Sequence, residues 1–425
     1  MAVNLERWPA LAAAILLFAL AACDSATSYK SPSAATSSTA TDDSAIFLAR
    51  HWQRPLQADG PALATFSVIE ASLAPTACGS CHQRQFEDWR TALHSHAMGP
   101  GLLGQLQAMG AEATEEHQAC LQCHAPLAEQ AEHLVKSLGA SRALPPQSDG
   151  SSATDGLTCA GCHVRKGRRF GPPRQDGTGP TPGSSLPHGG WQATSAFEDS
   201  RFCAFCHQFQ ADGPRLNGKL LENTYEEWRA SRYAGEGRSC QSCHMPQRRH
   251  LWRGIHDRDM VMSGLTIETT LSAVVGGHVS AALSIANTGV GHAFPTYVTP
   301  RVEVEIAQED GRGKILATTV ERRMIVRDVS LDLTVERADT RLMPDEKRRY
   351  AYERPLDRQA AAVVFRITVY PDAFYAGFYR ATLSDPDFRR GRAAIRQALL
   401  DAQTSAYELY SARLPLPARQ TKLLR

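Results

Sequence analysis

Ten of the eleven cysteines in this 425-residue chain fall into five copies of one pattern. They are Cys78-Gly-Ser-Cys81-His82, Cys120-Leu-Gln-Cys123-His124, Cys159-Ala-Gly-Cys162-His163, Cys203-Ala-Phe-Cys206-His207 and Cys240-Gln-Ser-Cys243-His244. Two thiols one helical turn apart can add across the two vinyl groups of a porphyrin. The histidine that follows then faces the iron, and C-x-x-C-H is the attachment pattern of c-type haem. Zinc sites would take thiols four at a time, leave one of the five pairs over and need no histidine after each. A redox dithiol needs one motif, not five. The expectation is five covalently bound haem c groups, with His82, His124, His163, His207 and His244 as proximal iron ligands.

Ten further histidines remain: His51, His94, His96, His117, His133, His188, His250, His256, His278 and His292. Bis-histidine ligation of five irons needs five of them, and local context ranks the candidates. Phe86-Glu-Asp-Trp89-Arg-Thr-Ala-Leu-His94 follows the first motif on an expected helix. A partial repeat, Tyr225-Glu-Glu-Trp228-Arg-Ala-Ser-Arg-Tyr233, precedes the fifth, and aligning the two tryptophans sets His94 against Tyr233. His188 lies in a Gly/Pro-rich loop before motif four. His250 and His256 closely follow Cys243-His244-Met245-Pro246, and His292 sits in Gly291-His292-Ala293-Phe294-Pro295. The expected distal ligands are His94, His188, His250, His256 and His292, with His96 and His117 in reserve.

The elements that position these groups must be short. The motifs begin at residues 78, 120, 159, 203 and 240, so each porphyrin has about forty residues of chain, too few for an apolar pocket of its own. The haems must form much of the core and lie close enough for electron hopping. Lys and Arg number 46 and Asp and Glu 44, a formal net charge of +2, which gives no support for nucleic-acid binding. The loop Arg165-Lys166-Gly167-Arg168-Arg169 after motif three reads as a solvated loop that pairs with haem propionates. A sharper reading makes it a docking patch for an anionic partner.

The odd cysteine has its own context. An apolar run from Ala10 to Ala22 follows Arg7 and Trp8 and ends at Cys23. It suits a signal-peptide core better than a membrane span of about 20 residues. Leu20-Ala21-Ala22-Cys23 resembles the bacterial lipobox, which marks Cys23 for lipidation and a membrane-surface anchor. Residues 24–45 are nearly all Ser, Thr, Ala and Asp and read as a flexible tether. Haem attachment outside the cytoplasm agrees with export, and the expected location is periplasmic or cell-surface.

From about residue 264 the pattern changes. Period-2 alternation appears in Val302-Glu-Val304-Glu-Ile306 and in 363–369, and the runs 265–274, 279–287, 315–326 and 329–335 are β-rich. Residues 384–411 read as a helix. The fold class is therefore α+β: a mainly helical haem domain, an antiparallel β-sandwich-like domain and a C-terminal helix. The expected divisions are 1–23 signal with lipobox, 24–45 tether, 46–263 pentahaem domain and 264–425 β-sandwich with helix.

The chain resembles the multihaem cytochrome c superfamily, which includes hydroxylamine oxidoreductase, its tetrahaem cytochrome partner and pentahaem nitrite reductase. The resemblance rests on the W-x-x-[SA]-x-H-like element at Trp89–His94, the Cys-His-Met-Pro ending at 243–246 and the Gly-His-x-Phe-Pro element at 291–295. It implies parallel and perpendicular haem pairs, with His94, His256 and His292 as distal ligands. Nitrite reductases of this family typically carry one C-x-x-C-K haem, whereas all five motifs here end in His. The expected function is electron relay between a membrane donor, a quinol-oxidising enzyme or another cytochrome, and a periplasmic or surface acceptor. The alternative is an oxidoreductase acting on a small nitrogen or sulfur compound at one open haem, with Tyr233 and Arg232 beside it.

Overall fold

The computed structural model describes residues 42–54, 56–110, 112–139, 150–181 and 185–417. The leader, Cys23 and the tether up to residue 41 lie outside the described residues. The end expected of the tether is already helical. Asp42 caps the helix Asp43–His51, its side chain accepting from the Ala45 N–H at 3.1 Å.

The chain forms two compact units. One takes residues up to 215 together with 237–252 and 381–398; the other takes 216–236, 253–380 and the chain from 399 onward.

The first unit is built of short helices, and each Cys-x-x-Cys-His motif lies in a helical turn. The helix Pro75–Gly79 starts on a proline, which suits a first turn whose N–H would be unpaired anyway. The turn through that motif closes with the His82 N–H on the Cys78 carbonyl at 2.8 Å. The other four motifs lie in Thr114–His124, Cys159–His163, Arg201–His207 and Cys240–His244. In the third, Thr158 accepts from the Gly161 N–H and so starts the turn that presents both thiols. Apolar packing among these helices is local. Met98, Leu106, Leu121 and Leu134 form one cluster, Leu48, Trp52 and Ala196 another, and Leu127, Ala160 and Val164 a third. Such separate clusters suit a unit whose interior is shared with large flat cofactors.

The second unit has one continuous core. Its strands are β1 Leu265–Val275, β2 His278–Asn287, β3 Arg301–Asp310, β4 Glu321–Ile325, β5 Arg327–Val329, β6 Glu336–Asp339, β7 Lys347–Pro355, β8 Ala360–Tyr370 and β9 Tyr407–Pro415. One antiparallel sheet has the order β7-β2-β1, a second has β9-β8-β3-β4, and β5 pairs with β6. The β1–β2 hairpin turns on Gly276 and Gly277, both at positive φ as a two-residue hairpin requires. Leu283 and Ile285 from the first sheet share a cluster with Val304, Phe365 and Ile367 from the second. Each large apolar side chain so buried contributes about 1.5–3 kcal/mol.

The β-rich runs at 265–274 and 279–287 and the alternating stretches near 302 and 363 are strands. Run 315–326 is a short 3-10 turn, Ala317–Thr319, followed by β4. Run 329–335 is mostly the turn between β5 and β6. Strand β7 has no counterpart among the expected runs, because its inward Tyr350 and Tyr352 alternate with Arg and Glu in a segment rich in charge. Of the helix expected over 384–411, Arg392–Thr404 is helical and β9 begins at Tyr407, while a further helix, Ala373–Ser384, precedes that range. Asp385-Pro386 ends the first helix, since proline blocks its continuation. Leu409 then alternates into the core.

Candidate functional site

Three pairs of imidazole rings stand opposite one another in the first unit. The ring centroids are 6.4 Å apart for His82 and His188, 6.4 Å for His94 and His207, and 6.1 Å for His163 and His250. Metal–nitrogen bonds near 2.0 Å on each side, plus the distance from ring centre to nitrogen, put two imidazoles across one iron about 6.3 Å apart. In each pair one histidine closes a Cys-x-x-Cys-His motif and the other is one of the expected distal residues. Among the described residues there is no group of three or more His, Cys, Asp or Glu that could hold a metal ion. Histidines in twos are what an iron already held by four porphyrin nitrogens needs.

The second ring nitrogen sorts the histidines further. Nδ1 donates to a backbone carbonyl in His124 (Ala97, 2.8 Å), His163 (Phe170, 2.8 Å), His188 (Gly190, 2.9 Å), His250 (Arg248, 3.1 Å) and His292 (Ala293, 2.9 Å). A carbonyl only accepts, so each Nδ1 carries the proton and each Nε2 keeps its lone pair for a metal. Three others turn Nε2 inward instead. His51 bonds the Cys162 carbonyl at 2.8 Å, His117 bonds the Leu106 carbonyl at 3.3 Å, and His256 bonds Asp372 Oδ2 at 2.9 Å. His256, expected as a distal ligand, and His117, held in reserve, therefore stand apart from the set. His96, the other reserve, is exposed at the end of the 3-10 turn Leu93–His96.

Desolvation keeps the ligand rings neutral. Burial, with His207 and His244 adding positive potential nearby, pushes the His94 imidazole down to about 3. Burial likewise lowers His207 and His250 to about 4. A neutral imidazole is the form that binds iron.

Carboxylates and a tryptophan that follow no obvious motif hold these rings in place. Asp88, buried at the end of the helix Gln83–Trp89, accepts the His250 N–H at 3.1 Å and pairs with Arg249, Nε to Oδ2 at 2.6 Å. The neighbouring Trp89 donates its indole N–H to the Leu157 carbonyl at 2.7 Å, and the Leu157 N–H in turn reaches the His94 carbonyl at 2.9 Å. Gly156, with φ of +70°, lets the two backbones approach. Glu70 accepts the His188 N–H at 2.6 Å, and that bond with those from Ser67 lowers its carboxyl to about 2. Sequence reasoning missed Asp88 and Glu70, although a signal was present in the Trp repeat. Glu227 occupies the place of Asp88 in the second copy, is buried in the other unit, and accepts the Ala293 N–H at 3.1 Å, next to His292. In both copies the acid before the tryptophan grips the backbone of a histidine segment.

No disulfide joins the ten motif cysteines. Cys78 neighbours Cys159, Cys123 neighbours Cys206, Cys203 neighbours Cys240, and Cys162 lies near Cys203 and Cys206, which brings motif one beside three, two beside four, three beside four and four beside five.

Residues 77–164 match the family described as cytochrome c554 and c-prime. A penta-haem cytochrome c552 from Thermochromatium tepidum has a similar structure, with a TM-score of 0.58 at 18% identity over 82% of this chain and 100% of that one. This chain has the fold of a multihaem cytochrome c. No curated protein matches this chain in sequence. Among its described residues no helix is long and apolar enough to cross a membrane.

The residues named for the catalytic alternative have other partners in this chain. The buried Tyr233 hydroxyl donates to the Thr288 carbonyl at 2.6 Å and accepts from Arg232 Nη2 at 2.9 Å. Arg232 also pairs with Glu236 at 2.8 Å and Asp345 at 3.0 Å. Of the basic loop, Arg165 donates to the carbonyls of His51 and Gly161 and Arg169 to that of Glu70, while Lys166 and Arg168 are exposed.

Proposed function

We propose that this chain is an exported, lipid-anchored cytochrome with five covalently bound haem c groups, relaying electrons between a membrane donor and a periplasmic or surface acceptor. The thioethers form at Cys78, Cys81, Cys120, Cys123, Cys159, Cys162, Cys203, Cys206, Cys240 and Cys243. His82 pairs with His188, His207 with His94 and His163 with His250, and His292 serves as a further distal ligand. The observation that carries this reading is the set of three imidazole pairs at 6.1–6.4 Å. Bound haem iron supplies a one-electron valence change. The chain's own residues hold the ligand nitrogens neutral and fixed, which keeps reorganisation small when that charge changes. Neighbouring thiols link motifs one with three, three with four, two with four and four with five, a contiguity that supports one continuous path.

Mass spectrometry and the pyridine haemochrome spectrum test the count, which should be five haems per chain. H188A and H250A should each convert one low-spin haem to high spin in the EPR spectrum. Fewer than five haems, or an unaltered spectrum in both variants, overturns the assignment. C23S should move the protein from the membrane to the soluble fraction.

One observation favours a second reading. Among the described residues His124 has no imidazole paired with it, and an open second haem would suit an oxidoreductase acting on a small nitrogen or sulfur compound. A high-spin signal in the native protein that shifts with nitrite or hydroxylamine supports that reading, and an all-low-spin spectrum removes it.

A further inference from the structure

Between two of the imidazole pairs sits an aromatic residue with no part in either motif or ligation. The Trp252 indole centroid is 4.8 Å from the His94 ring, tilted by 58°, and 5.0 Å from the His250 ring, edge-on at 86°. Those two histidines face His207 of the fourth motif and His163 of the third. Cys162 of motif three also lies near Cys203 and Cys206 of motif four, so the two haems those motifs hold are neighbours on their thioether side. The indole bridges the same two haems on their distal side.

The backbone is bent to put it there. Trp252 has φ of +42°, and Gln247 and Arg248 a few residues earlier have φ of +54° and +60°. Left-handed backbone at bulky side chains is strained and persists where surrounding bonds enforce it. Here the Trp252 N–H bonds the His244 carbonyl at 3.0 Å, Arg248 donates to the Pro173 carbonyl at 2.8 Å, and Asp88 grips Arg249 and the His250 N–H.

We infer that Trp252 is the positioning residue that couples the third and fourth haems, fixing the planes of their distal imidazoles and carrying the electronic contact between them. An electron leaving the reduced iron of one haem reduces the ferric iron of the other, and no proton or bond changes partner. The inference rests on ligation by His94 and His250.

The test compares W252L and W252F with the native protein, each shown to carry its full haem complement. W252L should shift the low-spin EPR signals of two haems, those lost in H94A and H250A, and leave the signal lost in H188A unmoved. After flash reduction, equilibration between those two haems should slow by at least about tenfold, the lower end of what losing an outer-shell partner costs. W252F keeps a ring in place, so the same two signals should shift less and the rate should stay within about threefold. A loaded W252L with native spectrum and rate overturns the inference. If W252L takes up no haem, W252F decides instead, and an unmoved spectrum there overturns the inference equally. H94A separates the two claims: if it leaves every haem low-spin the ligand assignment has failed, whereas a high-spin haem in H94A beside a silent W252L refutes the role of Trp252 alone.

Discussion

Replacing Gly156 by alanine places a methyl group where two backbones meet. A Cβ built there lies 2.5 Å from the His94 carbonyl oxygen and 2.8 Å from that of Ser95, whereas ordinary contact begins at 3.4 Å. Neither neighbour is a side chain that can rotate away, so the His94 backbone must retreat by about 0.9 Å. A left-handed φ adds about 1–2 kcal/mol for any residue with a Cβ, and overpacking adds about 1–3 kcal/mol. The variant should therefore lose about 2–5 kcal/mol of stability. Coordination distances tolerate shifts of only about 0.2 Å, so one haem should lose its distal imidazole as well. Chemical denaturation of the haem-loaded protein gives the first quantity and EPR the second. G60A supplies the control, since Gly60 has φ of +73° with nothing within 4 Å of a Cβ; it should show the backbone share alone and no spin change. A G156A protein as stable as G60A, with all haems in their native spin state, would mean that crowding at the His94 backbone neither costs stability nor moves the ligand.

Three other expectations follow from the same geometry. D88N should weaken the hold on Arg249 and the His250 N–H, broadening one low-spin EPR signal and lowering the denaturation midpoint of the loaded protein; an unchanged spectrum counts against the positioning role. In the second unit Arg327 is 1% exposed, bonds Glu336 at 2.9 Å and donates to the carbonyls of Leu216, Lys219 and Leu220. R327A should cost about 1–3 kcal/mol, because it strips the Leu216, Lys219 and Leu220 carbonyls of their buried donor while Lys219 still pairs with Glu336 at 2.7 Å, as urea denaturation would measure. Burial alone would raise the Asp339 and Glu336 carboxyls, but hydrogen bonds from Arg341 and Lys219 to the first, and from Lys219 and Arg327 to the second, lower both. Folded values below the unfolded ones stabilise fully above the ordinary carboxylate pKa of about 4, and that stabilisation is lost as pH falls through the folded values. Unfolding midpoints of this unit should thus drop only below about pH 4, and more shallowly in D339N.

How much the sequence revealed depends on the range of each signal. The cysteine motifs are local, so the five helical turns that carry them could be read directly, as could the strands whose burial alternates cleanly. Distal ligation is long-range. His188 finds His82, and His94 finds His207, more than a hundred residues away in each case, and no periodicity encodes that meeting. His256 shows the hazard, because closeness to a motif in sequence suggested ligation while its Nε2 lies on Asp372. Which ring nitrogen is turned to a carbonyl is a tertiary fact, and it discriminates better than any local context. Strand β7 escaped because its outward face is almost wholly charged, and the aromatic helix Ala373–Ser384 because bulky side chains weaken helix propensity.

The adjacent thiols of Cys78 with Cys159, Cys123 with Cys206 and Cys203 with Cys240 also bear on how the protein is made. A thiolate within reach of another sulfur is a substrate for oxidation, and exchange begins wherever such pairs meet an oxidant. A chain that collapsed to this shape in an oxidising compartment before its thiols were alkylated by vinyl groups would close cross-links between motifs, each sealing two porphyrin sites at once. Assembly therefore has a required order: reductant first, thioether formation next, compaction last.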